Sequence, residues 1–235
     1  YGGMAKRTRA ERHERLADHL LSRGADDETV GGHLERAHRL RSELGPHDAA
    51  LEPLRQAAAR HLGAAGRTAA DRCDLVRAAD LLERAVRLHG RGGPAGLPAA
   101  QRLGEVLCGL GRLEEGRTLL ATVHTDATAA GERRIAAHAR LQLACTDPAG
   151  DFAASVRAAT GTAPVFEAYG DHLGLARVTL RLGQHEQVQG RYAASRTHLE
   201  QALAHADSAG AGTETANALG ALAIALWLGP TPAAA

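Results

Sequence analysis

Thirteen histidines are the first residues of this 235-residue chain whose chemistry could matter, because imidazole is a common metal ligand. His198 and His205 are seven residues apart, and His33 and His38 are five apart, so each pair could share one helical face. Zinc sites in proteins use three or four protein ligands at defined spacings. Neither an HExxH motif nor a supporting set of carboxylates accompanies either pair. The sequence therefore predicts no metal site, and we expect these histidines on solvated helix surfaces.

The residues needed for nucleophilic, acid–base or phosphate chemistry are also not arranged for it. Thr197–His198 and Ser195 could suggest a nucleophile with its base, but residues adjacent in a helix point in different directions, and Ser195 falls in a packing position. Glu114 and Glu115 stand at a helix start, where the helix dipole favours acids. The sequence has no GxxxxGK[ST] motif, and Lys6 is its only lysine. We predict no catalytic, cofactor-binding or metal-binding residue, and no enzyme activity for this chain.

Composition favours helices and gives little support for nucleic-acid binding. Alanine fills 51 positions and aromatic residues only 3%, which suits closely packed helices better than a sheet. A net charge of +1 lacks the basic excess expected of a nucleic-acid surface. Cys73, Cys108 and Cys145 have no CxxC spacing, so we expect three core thiols in a reducing cytoplasm. No run of eighteen apolar residues and no signal peptide is present, which also predicts a cytoplasmic protein without a membrane partner.

Apolar residues recur at three- and four-residue spacing between regular breakers, which predicts helices throughout. In DLVRAADLLERAVRL (74–88), for example, Leu75, Ala78, Leu82 and Ala85 share one face, with charges opposite. Glycine and proline clusters, such as the linker expected at 90–98, separate these segments. We predict an all-α chain of about ten helices, arranged in antiparallel pairs.

Two segments 79 residues apart repeat one pattern of glycine and leucine. LGEVLCGLGRLEEGRTLL (103–120) and LGQHEQVQGRYAASRTHL (182–199) agree at seven of eighteen positions. The spacing is similar to that of tetratricopeptide (TPR) repeats, with two units of about 40 residues between the segments. One glycine of each segment permits close packing of the paired helices, and a second makes the turn between them. The residues that define the repeat are Gly104, Gly111, Gly116 and Leu120 in the first segment and Gly183, Gly190, Ser195 and Leu199 in the second.

The first helices of such pairs line a concave groove, and the glycine register predicts which residues face it. Arginines and amides mix at these positions, which could hold an acidic peptide or a partner helix; an ordinary solvated wall is an equally open interpretation. The candidate groove residues are Arg60, Arg67, Gln101, Glu105, Arg177, Gln184, Gln187 and Asn217.

The chain also resembles the TPR-like C-terminal region of large bacterial signalling proteins that combine an adenylate/guanylate cyclase domain with an AAA/STAND-type NTPase. The resemblance lies in KRTRAERHERLADHL (6–20), in HLGAAGRTAADRCDLVRAADLLERAVRL (61–88) and in VFEAYGDHLGLARV (165–178), which occur in the family's order. It implies a helical segment at 1–45 that links to an upstream NTPase module, followed by a TPR-like array at 46–235, truncated at its C-terminal end.

The same resemblance implies a function. The chain would be a non-catalytic protein-interaction scaffold, the sensor arm of a nucleotide cyclase/NTPase signalling protein, with its own NTPase domain or a peptide as partner. No P-loop or cyclase residue has a matching position here. Similar arrays also occur in ATP-dependent transcriptional regulators with a LuxR-type output, so the arm of such a regulator is the alternative.

Overall fold

The computed structural model describes residues 5–45, 48–90 and 93–229. Within these ranges the chain forms α-helices and one 3₁₀ turn at Pro94–Gly96, with no strand. The helices are α1 (Lys6–Ser22), α2 (Asp27–Ser42), α3 (Leu51–Asp71), α4 (Leu75–His89), α5 (Leu97–Gly109), α6 (Leu113–Ala129), α7 (Arg133–Cys145), α8 (Phe152–Tyr169), α9 (His172–Val188), α10 (Tyr192–Ala209) and α11 (Gly212–Leu228).

Aspartates begin several of these helices. The side chains of Asp26, Asp74, Asp151 and Asp171 each accept a hydrogen bond from the backbone N–H three residues later. Such a cap satisfies one of the amide groups that a helix start leaves without a partner, and it stabilises the helix by about 1 kcal/mol. The caps explain why α2, α4, α8 and α9 start where they do.

Glycines make the turns inside the helix pairs. Gly111, between α5 and α6, has φ +79°, and Gly190, between α9 and α10, has φ +72°. After each glycine the next amide returns to a carbonyl of the preceding helix, Arg112 to Leu107 over 2.9 Å and Arg191 to Glu186 over 2.8 Å. This left-handed conformation favours glycine. The two turns have the same form because both sequences carry glycine at this position.

Paired helices approach each other most closely at a second glycine. A Cβ added to Gly104 of α5 would lie 2.6 Å from Cγ of Leu120 in α6, and one added to Gly183 of α9 would lie 2.7 Å from Cγ of Leu199 in α10. Both leucines are fully buried. Gly116 of α6 is as confined, since its added Cβ would meet the carbonyl oxygen of Gly104 at 2.7 Å. The leucine of one helix therefore fills the space that the missing side chain leaves on its partner.

The apolar core is divided into clusters that follow the chain, each between neighbouring helices. This is the arrangement of a solenoid, in which each unit buries its apolar face only against the units beside it. The odd-numbered helices from α3 to α11 form the inner layer: α5 contacts α3 and α7, α9 contacts α11, and α11 also contacts α3. The prediction of an all-α, TPR-like helix-pair solenoid is confirmed, with eleven helices in the described part of the chain.

One side chain departs from the sequence analysis. The expectation of three core thiols was wrong for Cys73, which is exposed just after the end of α3; Cys108 is buried and Cys145 half-buried. Trp227 near the end of α11 is 84% exposed.

Two predictions of the sequence analysis fall partly outside the described ranges. The linker expected at 90–98 includes residues 91–92, and the proposed boundary at 45–46 touches residues 46–47. No helix of the described residues is both long and apolar enough to cross a membrane.

Candidate functional site

The inner layer closes on itself where α11 meets α3. A Cβ added to Gly212, at the start of α11, would lie 2.7 Å from the carbonyl oxygen of Asp71, the last residue of α3. Beside this contact, Sγ of Cys73 lies 3.2 Å from Oγ1 of Thr213, across 140 residues of sequence. The concave face is therefore the wall of a ring.

A cavity of about 400 Å³ lies inside this ring. All five inner helices contribute to its wall: Ala70 from α3, Glu105 from α5, Gln142 from α7, Gln184 from α9 and Asn217 from α11. Because the wall combines these helices, its shape depends on how the whole array winds.

The centre of the wall is a two-armed ion pair between α5 and α9. Both terminal nitrogens of Arg177 donate to the carboxylate of Glu105, Nη2 to Oε2 over 2.9 Å and Nη1 to Oε1. Glu105 is 7% exposed. Parallel hydrogen bonds between a guanidinium and a carboxylate are strong and directional, so this pair fixes the position of α9 against α5.

Further carboxylates join this pair to α3 and α11. Nε of Arg177 donates to Oε1 of Glu214 over 2.7 Å. Arg102 donates to Oε2 of Glu105 over 2.9 Å and to Oδ1 of Asp71 over 2.5 Å. The chain of contacts Asp71–Arg102–Glu105–Arg177–Glu214 therefore spans the ring. We call these five residues the ring network.

A histidine–aspartate pair adjoins the ring network. Nε2 of His138 in α7 lies 2.8 Å from Oδ2 of Asp171, and Nδ1 of the same ring lies 3.4 Å from Nη1 of Arg177. With Nε2–H donating to Asp171, Nδ1 is left as an acceptor for Arg177. The second oxygen of Asp171 accepts the Gly174 amide at the start of α9. One carboxylate thus caps α9 and orients a buried imidazole.

Burial and charge act in opposite directions on the acids of this site. Burial alone would raise the pKa of Glu105, but Arg177 and Arg102 outweigh it and hold that pKa at about 2. Burial is likewise outweighed at Asp171, where hydrogen bonds from His138 and from the Gly174 amide help to hold the pKa at about 2. At Asp71 burial dominates over the attraction of Arg102, and the pKa is raised. Glu105 and Asp171 are therefore ionised at neutral pH.

One cation of the cavity wall has no acidic partner. Arg181 of α9 lies with its guanidinium 5.1 Å from the ring centre of Phe152, and it makes no ion pair with a described residue. Gln184 and Asn217, on the same wall, make no side-chain hydrogen bond with any described residue. A guanidinium and two amides with unused donors can hold a carboxylate and the backbone of an extended peptide.

The candidate groove residues fall into three groups. Glu105, Arg177, Gln184 and Asn217 line the cavity. Gln101 donates to Glu105, and Gln187 donates to the Ala221 carbonyl oxygen over 2.6 Å, so both are occupied by contacts within the chain. Arg60 and Arg67 are exposed on α3 and do not line the cavity.

Four important side chains of the site escaped the sequence analysis. Arg102, His138 and Asp171 are buried, although the histidines were expected on solvated helix surfaces. Arg181 lies four residues after Arg177, one helical turn along α9, and this spacing could have identified it. Nothing local in the sequence indicates that His138 and Asp171, 33 residues apart, would meet.

The site offers no metal centre: among the residues that the structure describes, no group of three or more histidine, cysteine or acidic side chains could hold an ion. His13 and His33 do approach, as do His172 and His205, with Nδ1 atoms 2.9 and 3.1 Å apart.

Comparisons with known proteins give similarity of fold only. No family model matches the chain, and no curated protein matches it either. Among solved structures, the chain is similar to a protein of Podosopora anserina described as a kinesin light chain with nearly identical TPR-like repeats. Sequence identity is 18%, with 88% of this chain and 98% of that one covered and a TM-score of 0.44. A single-substitution variant of that protein gives 17% identity, the same coverage and a TM-score of 0.45.

Proposed function

We propose that this chain is a protein-interaction scaffold whose ring cavity binds an extended acidic segment of a partner. The observation that carries the proposal is Arg181, which lines the cavity without a carboxylate partner, while Arg102 and Arg177 are already neutralised. Phe152 supports its guanidinium from behind. A carboxylate on the partner would supply the missing charge.

The size of the cavity favours an extended segment over a helix. A helical turn about 10 Å across and about 5.4 Å long occupies about 400 Å³. The cavity, at about 400 Å³, has room for little more than one turn of a partner helix. An extended strand or a chain end is narrower than a helix and needs less of this space. Of the two partners that the sequence suggested, an acidic peptide therefore suits the closed ring better.

The neutral remainder of the wall would position such a segment without adding charge. Gln184 and Asn217 present amides from α9 and α11, and Gln142 presents one from α7. An extended segment has backbone N–H and C=O groups without internal partners. Side-chain amides can both donate hydrogen bonds to such a backbone and accept hydrogen bonds from it. The wall thus favours recognition of backbone and charge over a particular apolar side chain.

Selection from a displayed library of random linear peptides, with the purified 235-residue chain as target, tests this proposal. We expect enrichment of acidic sequences whose binding weakens with added salt, because screening reduces the attraction between charges. Arg181→Gln should weaken the selected peptides by about tenfold, the loss of one charge-assisted contact.

Arg140→Gln is the matched control, since Arg140 is an exposed arginine of α7 outside the cavity. It should leave binding unchanged. Enrichment of peptides that bind the Arg181→Gln variant as tightly as the original chain would contradict the proposal, and so would failure to enrich any acidic sequence.

We also propose a parent protein, on the support of the sequence resemblance. In it the chain is the sensor arm of a nucleotide cyclase/NTPase signalling protein, and binding in the cavity alters the packing of the array against the NTPase domain. Such coupling needs a ligand that prefers one of two arrangements. The reading frame around the coding segment tests this: an upstream P-loop NTPase with a cyclase domain supports it, and a downstream helix-turn-helix domain supports the transcriptional regulator instead.

A further inference from the structure

Three helix pairs of this array close by the same contact. A Cβ added to Gly66 of α3, Gly104 of α5 or Gly183 of α9 would lie 2.6–2.7 Å from Cγ of a leucine in the following helix. In each pair the leucine is the sixteenth residue after the glycine. These glycine–leucine pairs are Gly66–Leu82, Gly104–Leu120 and Gly183–Leu199.

The helices that supply these leucines share a short pattern. A small residue lies four positions before the leucine, and alanine or valine lies three positions after it. All nine residues are buried: Ala78, Leu82 and Ala85 in α4; Gly116, Leu120 and Val123 in α6; Ser195, Leu199 and Ala202 in α10. This spacing places the three residues of each helix on one face. That face packs against the glycine of the preceding helix.

Helix α11 carries the same glycine position, but no described residue fills it. Leu219–Gly220 matches Leu103–Gly104 and Leu182–Gly183 in sequence, yet within residues 5–45, 48–90 and 93–229 no atom lies within 4 Å of a Cβ added to Gly220. The inner side of α11 is covered, because Ala218, Ala221 and Ala225 are buried against the rest of the array.

The open side of α11 is apolar and lacks charge. Ala216, Gly220, Ala223 and Trp227 recur at helical spacing, and all four are exposed. Further large apolar side chains are half-exposed along the helix, namely Leu219, Ile224, Leu226 and Leu228. Glu214, on the covered side, is the only charged residue of α11. Contiguous exposed apolar surface of this kind marks interaction sites.

We infer that the open face of α11 binds an amphipathic helix of a partner protein, one that places leucine in the Gly220 position. The partner helix carries a small residue, leucine four positions later, and alanine or valine three positions after that. The contact continues the interface that already joins α3 to α4, α5 to α6 and α9 to α10. The face of the partner helix that contacts α11 is apolar, because the open side of α11 has no charge to pair with. This site is separate from the ring cavity and does not depend on the proposed function.

The chain itself provides the probe, a peptide with the sequence of α6 (Leu113–Ala129), which carries the pattern and has no tryptophan, tyrosine or phenylalanine. Trp227 is the only tryptophan, so its emission reports on this face alone. The peptide is added in solution and is also joined to the end of the 235-residue chain through a Gly/Ser linker, which provides an effective concentration of about millimolar. We expect a blue shift of the Trp227 emission in both arrangements and a higher Tm in the joined one.

Two substitutions decide whether the contact is the inferred one. Gly220→Ala adds the Cβ that the other three pairs exclude, so it should weaken binding by about tenfold. Leu120→Ala in the peptide should remove the shift. The matched control is Gly161→Ala, the same change at an exposed helical glycine of α8, and it should leave binding intact.

Absence of a shift in the joined protein would overturn the inference. It would also be overturned by binding that tolerates Gly220→Ala. Concentration-dependent dimerisation of the unmodified chain, with a blue-shifted Trp227 in the dimer, would show that a second copy covers α11, and would overturn it as well.

Discussion

Arg177 and Glu105 are 72 residues apart in sequence, yet the guanidinium of one donates to both carboxylate oxygens of the other in the wall of the ring cavity. Because Arg177 also binds Glu214 of α11, a single side chain connects α5, α9 and α11. The concave face is thus largely occupied by its own charges, and Arg181 is its one cation without an acidic partner among the described residues.

Replacing Arg177 should destabilise the fold strongly. Arg177→Met leaves Glu214 buried without its cation and leaves Glu105 with Arg102 alone, and breaking a buried pair by removing one partner costs about 3–5 kcal/mol. Urea unfolding measures the change. Adding Glu105→Gln to Arg177→Met should recover part of the loss, because the buried charge is removed; equal destabilisation of the single and double variants would contradict the pairing.

Stability should fall in acid. The folded-state pKa values of Glu105 and Asp171 are held at about 2, below the ordinary values of 4.5 for glutamate and 3.8 for aspartate. A depressed pKa stabilises the fold above the unfolded-state value, and this stabilisation is lost as pH falls from about 5 towards 2. Each group contributes roughly 2–3 kcal/mol over that range. Asp71, whose pKa is raised, acts in the opposite direction and subtracts from the effect.

Urea unfolding between pH 7 and pH 3 measures this dependence. Asp171→Asn should make the curve flatter, because one of the two depressed groups is gone. A free energy of unfolding that stays constant from pH 6 to pH 3 in the original chain would show that the pKa values of Glu105 and Asp171 are not lowered in the folded state.

Glycine-to-alanine substitutions should have opposite signs at equivalent positions. Gly104→Ala and Gly183→Ala force a Cβ against a buried leucine, which costs about 1–3 kcal/mol. Gly220→Ala has open space and improves helix propensity, so it should stabilise the chain by up to about 1 kcal/mol. Thermal unfolding of the three variants gives the comparison. A loss at Gly220 equal to that at Gly104 would mean that α11 is already covered.

Closure of the ring can be tested by a cross-link. Thr213→Cys places a second thiol beside Cys73, whose Sγ lies 3.2 Å from the present hydroxyl. Mild oxidation should give an internal disulfide and raise the Tm, because the bond constrains the unfolded chain. The same variant with Cys73→Ser should form no such bond. Failure of the pair to cross-link would place α11 away from α3 in solution.

Much of the fold could be predicted because its determinants are local. The glycine and leucine positions that join α5 to α6 lie within eighteen residues, and each acts through a contact between adjacent helices. The ring is different, because its closure depends on small rotations that accumulate over several units. Consequently the sequence placed Glu105 and Arg177 on the concave side but gave no sign that they would bind each other. Arg60 and Arg67 fit the same register and yet lie outside the cavity.

The measurement that tests the central claim most directly is peptide binding by the cross-linked ring. The Thr213→Cys chain is compared in its oxidised and reduced forms, with the tightest acidic peptide from the display selection as ligand. If an extended segment enters the closed cavity beside Arg181, both forms should bind with the same Kd. Loss of binding on oxidation, restored by reduction, would mean that the ring must open for its partner, and would contradict the account.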